Sequence, residues 1–475
     1  MKFRWILVLT LLVTIGLTSC SSLYHRPWRT NAPEVSESGT VTLRFLEVDD
    51  EGWFWDRRQA DAIIDGIHSS VKTKDTMVVT FVHGWHHCAR CCDENVEGFR
   101  QTLVDLSKTL EDRFNIIGIF VGWRGQSLPM PANVATFWGR KGAAERIGEN
   151  DIREFFSRLQ RLFASYRPDV IGEPGSNQPQ GPHHFLGLAT IGHSFGAQIV
   201  LRSVASSIEN QLMLLNQNPA YLRGARSADP KDTTPVSVSG FGDLVVLINP
   251  AVEASQYHRL HILSRGLNYS QLQTPLVLTV SAEDDYARHR LFKFGRMLGE
   301  FFTGKPRKDD PVQRAVERQA LGVYEGHITH ELGPVDTNVS LHTEVITNTD
   351  ASCGNKTCSA KWLDWVQPPQ TYAPDSLNAQ DASIATFDFS GSVVFNDVRL
   401  RPLESAANGT SGFQPLIVAR ASNKIIESHS DIFSRPFIRF IVPYVTFIER
   451  KSRANLNSNR ERREEQIKHT AAEEP

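Results

Sequence analysis

The stretch Leu186-Gly-Leu-Ala-Thr-Ile-Gly-His-Ser-Phe-Gly-Ala-Gln-Ile-Val200 decides the fold class. Its first six residues form an apolar run without polar alternation, which is typical of a strand buried on both faces of a parallel sheet. A Gly-x-Ser-x-Gly turn follows, and the small and apolar residues after it predict a helix that begins directly after the turn. The segment therefore predicts a strand, a tight turn and a helix.

The same alternation of strand and helix recurs along the chain. Further apolar runs that predict buried strands lie at residues 77–82, 116–121, 244–248, 276–280 and 416–419. Helix-like segments lie at residues 96–113, 143–165 and 196–215. This alternation predicts an α/β fold with a mostly parallel, doubly wound sheet and helices on both of its faces.

The chain is long enough for one large domain with insertions, because it has 475 residues, of which 40% are hydrophobic and 22% charged. We predict a domain over residues 41–449, a late insertion at about residues 326–412 before the last strand, and a charged tail at residues 450–475. The insertion could cover or shape a pocket. The formal net charge is −2, so charge gives no reason to expect a nucleic-acid partner.

The N-terminal residues predict export and lipid anchoring. Lys2 and Arg4 precede an apolar run that is short for a membrane-spanning helix, so residues 1–19 are typical of a signal peptide. The run ends in Leu-Thr-Ser-Cys20, which resembles the lipobox of bacterial lipoproteins and implies a lipid anchor on Cys20 in the cell envelope. In such signals Ser21 favours the outer membrane. Residues 20–40, rich in Pro, Ser and Asn, are predicted to form a tether.

Ser194 is the candidate nucleophile. A turn between a buried strand and a helix places Ser194 in a strained backbone at the carboxyl edge of the sheet, where Gly192 and Gly196 avoid side-chain collisions. The helix directs backbone N–H groups toward the oxyanion that forms when Ser194 attacks a carbonyl group. The alternative is a structural Gly-Ser-Gly loop, which the flanking strand and helix disfavour.

Several motifs together resemble the α/β-hydrolases, and in particular a bacterial esterase- or lipase-like lipoprotein group of unassigned specificity. Besides the turn at Ser194, they are His83-Gly-Trp85, Gly122-Trp-Arg-Gly125, Thr136-Phe-Trp-Gly-Arg-Lys141 and Asn249-Pro-Ala251. The resemblance implies the α/β-hydrolase fold and an oxyanion hole made by the backbone N–H groups of Trp85 and Phe195. His83 is then expected to support its loop rather than to react.

The resemblance also implies the order nucleophile, acid, histidine along the chain. Glu283, Asp284 and Asp285 all follow a predicted strand, and the family's Asp-aromatic-Ala pattern favours Asp285 as the acid, with Asp284 next. His429 stands after the last predicted strand in a turn similar to the family's His-x-Asp-Ile turn, which makes it the favoured base. Weaker rivals are His327, His330 and His342.

On this resemblance we expect a serine hydrolase that cleaves carboxyl esters through Ser194, His429 and Asp285, with an acyl-enzyme intermediate and no cofactor. The expected partner is a small-molecule or lipid ester, besides the membrane that holds the anchor. The alternative from another class is a binding or scaffold lipoprotein of the envelope that keeps the fold without the chemistry.

A cluster of metal-ligand residue types offers a competing hypothesis beside the predicted oxyanion loop. Its members are His86, His87, Cys88, Cys91, Cys92 and Asp93. A zinc site usually needs a second ligand pair at a distance, and the one distant pair, Cys353 and Cys358, brackets a turn that suits a local disulfide. We therefore expect disulfide bonding in this region and no metal.

Overall fold

The computed structural model of the chain describes residues 27–36, 38–91, 93–111, 113–125, 136–167, 184–222, 234–270, 272–284, 310–336, 392–403 and 414–473. These residues form a mixed α/β structure in which helices pack on both faces of a mostly parallel sheet. The coarse fold class predicted from the sequence is confirmed.

Eleven strands of the described chain form one sheet. In chain order they are β1 (Glu34–Val35), β2 (Val41–Glu47), β3 (Thr76–Val82), β4 (Asn115–Gly122), β5 (Leu186–His193), β6 (Leu244–Ile248), β7 (Val277–Ala282), β8 (His330–Pro334), β9 (Val393–Phe395), β10 (Val398–Pro402) and β11 (Leu416–Ala421). Their spatial order is β1-β2-β4-β3-β5-β6-β7-β11-β8-β10-β9. Neighbours from β2 to β8 in this order run parallel, and β1, β10 and β9 pair antiparallel at the two edges.

The predicted apolar runs all lie in central parallel strands. Every residue of β3 and of β5 is buried, as expected for strands that are covered on both faces. Because parallel strands end at the same edge of a sheet, the loops after β3, β4, β5, β6 and β11 meet at one carboxyl edge.

Helices cover both faces of this sheet. In chain order they are α1 (Arg57–Val71), α2 (Glu94–Thr109), α3 (Phe137–Ile147), α4 (Asp151–Ser165), α5 (Phe195–Asn216), α6 (Ala254–Arg265), α7 (Pro311–Arg318) and α8 (Arg435–Glu473). One apolar core is formed with α1, α3, α4, α5 and α6, and the core on the opposite face is formed with α2 and α8.

The segment predicted as one helix over residues 143–165 is divided into parts of α3 and α4. The break follows Gly148, where an added Cβ would lie 2.9 Å from the Ile199 carbonyl oxygen of α5. The Asp151 carboxylate at the start of α4 also accepts a hydrogen bond from the Phe54 backbone N–H at 2.8 Å. Close packing against α5 and this tertiary hydrogen bond fix a boundary that the apolar periodicity does not show.

The described parts of the predicted insertion extend the sheet. Strand β8 pairs with β11, β10 pairs with β8, and β9 pairs with β10. Leu332, Leu400 and Phe395 of these strands are buried in the same core as the first part of α8. Residues 337–391, with Cys353 and Cys358, lie outside the described residues.

Residues 28–35, predicted to belong to a tether, pack against the domain. The buried Glu47 carboxylate at the end of β2 accepts hydrogen bonds from the backbone N–H groups of Trp28, at 2.9 Å, and Arg29, at 2.8 Å. Arg29 also donates to the Ala89 carbonyl oxygen at 2.6 Å. Burial raises the pKa of Glu47 to about 7. The packed domain therefore begins before Val41, because a buried carboxyl group of β2 needs these donors.

The C-terminal tail is helical. Helix α8 continues to Glu473, so the predicted charged tail is the second part of a helix whose first part is buried against the sheet. None of the helices in the described part of the chain combines the length and the apolar character that crossing a membrane requires.

A buried ion pair joins the chain after α4 to the start of β6. Arg167 donates to the two carboxylate oxygens of Asp243 at 2.5 and 3.1 Å, and both side chains are 3% exposed. Arg167 also donates to the Leu186 carbonyl oxygen, and Asp243 accepts from the Leu188 N–H. The pair thus satisfies backbone groups of β5, the strand that leads to Ser194.

We expect Asp243→Leu to lower the free energy of unfolding by about 3–5 kcal/mol, because it leaves the Arg167 guanidinium buried without its counter-charge. The matched control is Asp61→Ala in the more exposed pair with Arg158, which should cost at most about 1 kcal/mol. Urea denaturation of both variants measures the difference. Equal losses in the two variants would contradict the role given to the buried pair.

Candidate functional site

Ser194 occupies a strained turn between β5 and α5. Its backbone has φ 54° and ψ −118°, a conformation that non-glycine residues rarely adopt. Its N–H donates to the Ile248 carbonyl oxygen at 3.0 Å, and its own carbonyl accepts from the Ala251 N–H at 3.1 Å. The chain after β6 therefore holds the turn from the side and keeps Ser194 at the carboxyl edge.

Two glycines allow the turn to pack this closely. A Cβ at Gly192 would lie 2.6 Å from the Ala197 Cα, and a Cβ at Gly196 would overlap the carbonyl oxygen of Val82 in β3. Both obstacles are backbone atoms, which cannot rotate away as a side chain can. The sequence motif thus reflects contact between α5 and the strands beside it.

His429, which lies in the loop between β11 and α8, reaches Ser194. Its Nε2 is 2.7 Å from the Ser194 Oγ, a hydrogen bond between residues 235 positions apart in the chain. The Ser194 hydroxyl is the donor when Nε2 is unprotonated. The structure brings the predicted nucleophile and the predicted base together in a geometry suited to proton transfer.

The backbone carbonyl of His429 is held by two side chains for which the sequence predicts no functional role. His193 Nε2 lies 2.9 Å from this oxygen, and Asn249 Nδ2 donates to it, also at 2.9 Å. Asn249 has φ 44°, and its Oδ1 accepts from the Ala282 N–H at 2.8 Å. Asn249 therefore links the ends of β6 and β7 to the loop that carries the imidazole.

His83 supports the loop after β3, as predicted. With Nδ1 protonated, it donates to the Gly84 carbonyl oxygen at 2.9 Å, and its Nε2 accepts from the Trp123 N–H at 3.0 Å. Complete burial lowers the pKa of His83 to about 4, which keeps the ring neutral. Both ring nitrogens are used in holding the loop, and neither is directed to Ser194.

The predicted oxyanion donors flank Ser194. A Cβ on Gly84 would lie 2.8 Å from the Ser194 Cβ, so the residue before Trp85 touches the nucleophile. Within the described residues, neither the Trp85 nor the Phe195 backbone N–H has a hydrogen-bond acceptor. The Phe137 ring packs against the rings of both, with centroids 5.1 and 5.0 Å apart. Two available N–H groups beside Ser194 match the requirement of an oxyanion site.

His86, the next residue of this loop, has φ 75° although it is not a glycine. Its ring lies edge-on to the Trp85 ring at 4.0 Å. Burial, together with nearby His87 and His429, lowers the pKa of His86. In the sequence His86 stands out only as a metal-ligand type, and no local pattern signals its unusual backbone.

The favoured acid of the predicted site, Asp285, is not among the described residues. Glu283 and Asp284 follow β7 and are exposed, and Asp284 accepts a hydrogen bond from Asn423 Nδ2 at 3.3 Å. The assignment of Asp285 stays a prediction.

The rival histidines belong to other surroundings. His327 Nε2 lies 2.9 Å from His258 Nδ1, and His330 Nδ1 lies 2.8 Å from the Thr329 hydroxyl. Burial lowers the pKa of His327 to about 3 and that of His330 to about 4. Neither donates to or accepts from Ser194 in the described structure, and His342 lies outside the described residues.

The residues that suggested zinc are engaged in the loop itself. His87 Nδ1 lies 3.1 Å from an Asp93 carboxylate oxygen, and the other oxygen accepts from the Cys88 N–H at 2.9 Å. Cys91 is in a disulfide, whereas Cys88 is a free thiol. Across the described ranges, no three His, Cys, Asp or Glu side chains are arranged to hold a metal ion. Cys20 and Cys92 lie outside those ranges.

In comparisons with known proteins, no protein-family model matches the chain, and neither a curated protein nor a solved structure matches it.

We expect Gly196→Ala to lower the free energy of unfolding by about 3 kcal/mol, because the new methyl group would overlap the backbone of β3. Gly139→Ala is the control: Gly139 lies in α3 with no atom within 4 Å of an added Cβ, so alanine should stabilise the helix by up to about 1 kcal/mol. Chemical denaturation distinguishes them. A neutral effect of Gly196→Ala would contradict the packing described for this turn.

Proposed function

We propose that the chain is a serine hydrolase of the α/β-hydrolase fold that acts on carboxyl esters, with Ser194 as nucleophile and His429 as general base. The observation that carries this proposal is the 2.7 Å contact between Ser194 Oγ and His429 Nε2, made by a serine in a strained turn at the carboxyl edge of a parallel sheet. Strained backbone of this kind is concentrated at functional sites.

In the proposed reaction, His429 Nε2 takes the Ser194 hydroxyl proton while Ser194 Oγ forms a bond to the ester carbonyl carbon. The backbone N–H groups of Trp85 and Phe195 stabilise the negative oxygen of the tetrahedral intermediate. The C–O bond to the alcohol then breaks, and the Nε2 proton passes to the departing oxygen. His429 Nε2 next takes a proton from a water molecule whose oxygen bonds to the acyl carbon. The bond from that carbon to Ser194 Oγ then breaks, the Nε2 proton returns to Oγ, and the acid is released.

Asp285 is proposed as the carboxylate that orients the His429 ring and stabilises the imidazolium, the role that the resemblance implies for it. The reaction needs no cofactor under this proposal. The substrate class is a small-molecule or lipid ester.

We further propose that the protein is held in the bacterial cell envelope, in the outer membrane, by lipid on Cys20. The sequence around Cys20 supports this part of the proposal, and it is independent of the chemistry at Ser194.

Labelling with a fluorophosphonate probe tests the proposed nucleophile. The native chain should be labelled and should hydrolyse a short-chain nitrophenyl ester, whereas Ser194→Ala should lose both properties. The matched control, Ser207→Ala, replaces an exposed serine of α5 and should retain both. Absence of Ser194-dependent labelling would favour the binding or scaffold alternative.

Asn249→Asp tests the positioning of His429. Aspartate retains an acceptor for the Ala282 N–H but cannot donate to the His429 carbonyl oxygen. The backbone that carries the imidazole therefore loses one of its two described side-chain contacts. We expect kcat for the ester to fall about ten- to a hundredfold, as displaced catalytic groups do, with KM little changed. Phosphonylation should become slower but remain at Ser194. An unchanged kcat in a folded variant would show that Asn249 is not a positioning residue.

A further inference from the structure

Tryptophans are concentrated at the carboxyl edge of the sheet. Four of them have strongly exposed side chains: Trp28 is 43%, Trp53 59%, Trp55 42% and Trp138 40% exposed. The other large hydrophobic residues that are this exposed in the described chain are valine, leucine and isoleucine. Tryptophan is enriched where a protein meets the interface between lipid and water, because its ring is apolar and its N–H is polar.

Three of the four follow the carboxyl ends of parallel strands, which is the edge of the sheet that carries Ser194, and the fourth, Trp28, contacts that edge. Trp28 donates its N–H to Glu47 at the end of β2. Trp53 and Trp55 lie in the loop that follows β2, where the Trp55 N–H donates to the Glu47 carbonyl oxygen. The ring of Trp138, at the start of α3, contacts the Phe137 ring with centroids 5.1 Å apart.

Phe137 in turn packs against Trp85 and Phe195, on either side of the nucleophile. Trp138 therefore lies beside the proposed site, whereas Trp28, Trp53 and Trp55 lie at the carboxyl end of β2, on the same edge of the sheet. We call these four exposed residues the tryptophan edge.

Charges beside the tryptophan edge are largely paired. Arg57 pairs with Glu154, Arg58 with Asp56, and Arg146 with Glu51. The Arg90 guanidinium lies over the Trp28 ring at 4.5 Å from its centroid. A surface with balanced charges and exposed aromatic rings suits a zwitterionic lipid surface, whereas a strongly anionic partner would require an excess of cations.

The proposed lipid-bearing residue is close to this edge in the sequence. Cys20, the proposed lipid-bearing residue, precedes Trp28 by eight residues. Eight residues span at most about 28 Å when fully extended. Trp28 itself is fixed to the domain by Glu47, so the short connection brings the carboxyl edge toward the membrane that contains the anchor.

We propose that the tryptophan edge of Trp28, Trp53, Trp55 and Trp138 inserts into the interfacial region of the bilayer, so that the Ser194 site opens toward lipid. This inference rests on the proposed lipid anchor and does not require that Ser194 be reactive. The partner is a phospholipid surface, and the contact orients the domain on that surface.

Quenching of tryptophan fluorescence by brominated lipid tests this orientation. The full-length precursor is expressed in cells that attach lipid, and the lipidated protein is reconstituted in phosphatidylcholine vesicles with and without bromine on the acyl chains. Bromine should quench part of the native emission. Trp53→Ser/Trp55→Ser should decrease the quenched intensity about twofold, because it removes two of the four edge rings.

The matched control is Leu214→Trp, which adds a tryptophan at an exposed position near the far end of α5. Twenty residues of helix separate it from Ser194, a distance of about 30 Å, so its emission should not be quenched. Equal quenched intensity in the double variant and the native protein would overturn the proposal. A chain that fails to float with the vesicles would also overturn it, as would quenching of the emission added by Leu214→Trp.

Hydrolysis of a water-soluble ester in detergent separates this proposal from the proposed function. The double variant should retain native hydrolysis there, because neither tryptophan belongs to the proposed machinery. Edge-dependent quenching without hydrolysis by the native protein would support the membrane contact and count against the hydrolase.

Discussion

The strained backbone of Ser194 is the constraint on which the site depends. A left-handed φ at a serine costs on the order of 1–3 kcal/mol and persists only where the surrounding structure enforces it. Here the enforcement comes from both sides: β5 and α5 are buried on the sheet, and the chain after β6 hydrogen-bonds the Ser194 N–H and carbonyl groups. Gly192 and Gly196 let these elements approach to contact distance. The turn is thus stabilised by the packing of three neighbouring strands rather than by its own residues.

The position of His429 beside this turn depends on contacts of its backbone carbonyl as well as on the contact of its ring with Ser194. Its carbonyl oxygen is held by His193, the residue before the nucleophile, and by Asn249, the residue after β6. The nucleophile and the base are therefore both positioned by the carboxyl ends of β5 and β6.

The sequence was sufficient for the features that depend on local pattern. Continuous apolar runs identify the central strands because strands buried on both faces carry apolar residues at every position, and the glycine-serine turn identifies Ser194. The insertion contains strand-like pieces, but the sequence does not locate β8, β9 and β10 or their pairing, since the pairing joins segments far apart in the chain. The contacts of Asn249 and His193 with the His429 carbonyl oxygen could not be predicted for the same reason, because they join residues 180 and 236 positions apart. The structure brings Ser194 and His429 into contact, Asp285 lies outside the described residues, and the roles of all three stay predictions.

The proposed nucleophile and oxyanion site are tested most directly by a crystal structure of the protein after reaction with a fluorophosphonate. The phosphorus of this reagent mimics the tetrahedral carbon of the intermediate. The proposed site predicts a bond from phosphorus to Ser194 Oγ and a phosphoryl oxygen at about 2.7–3.1 Å from both the Trp85 and the Phe195 backbone nitrogens, with His429 Nε2 beside Oγ. An adduct on another residue, or a phosphoryl oxygen directed away from both nitrogens, would contradict it.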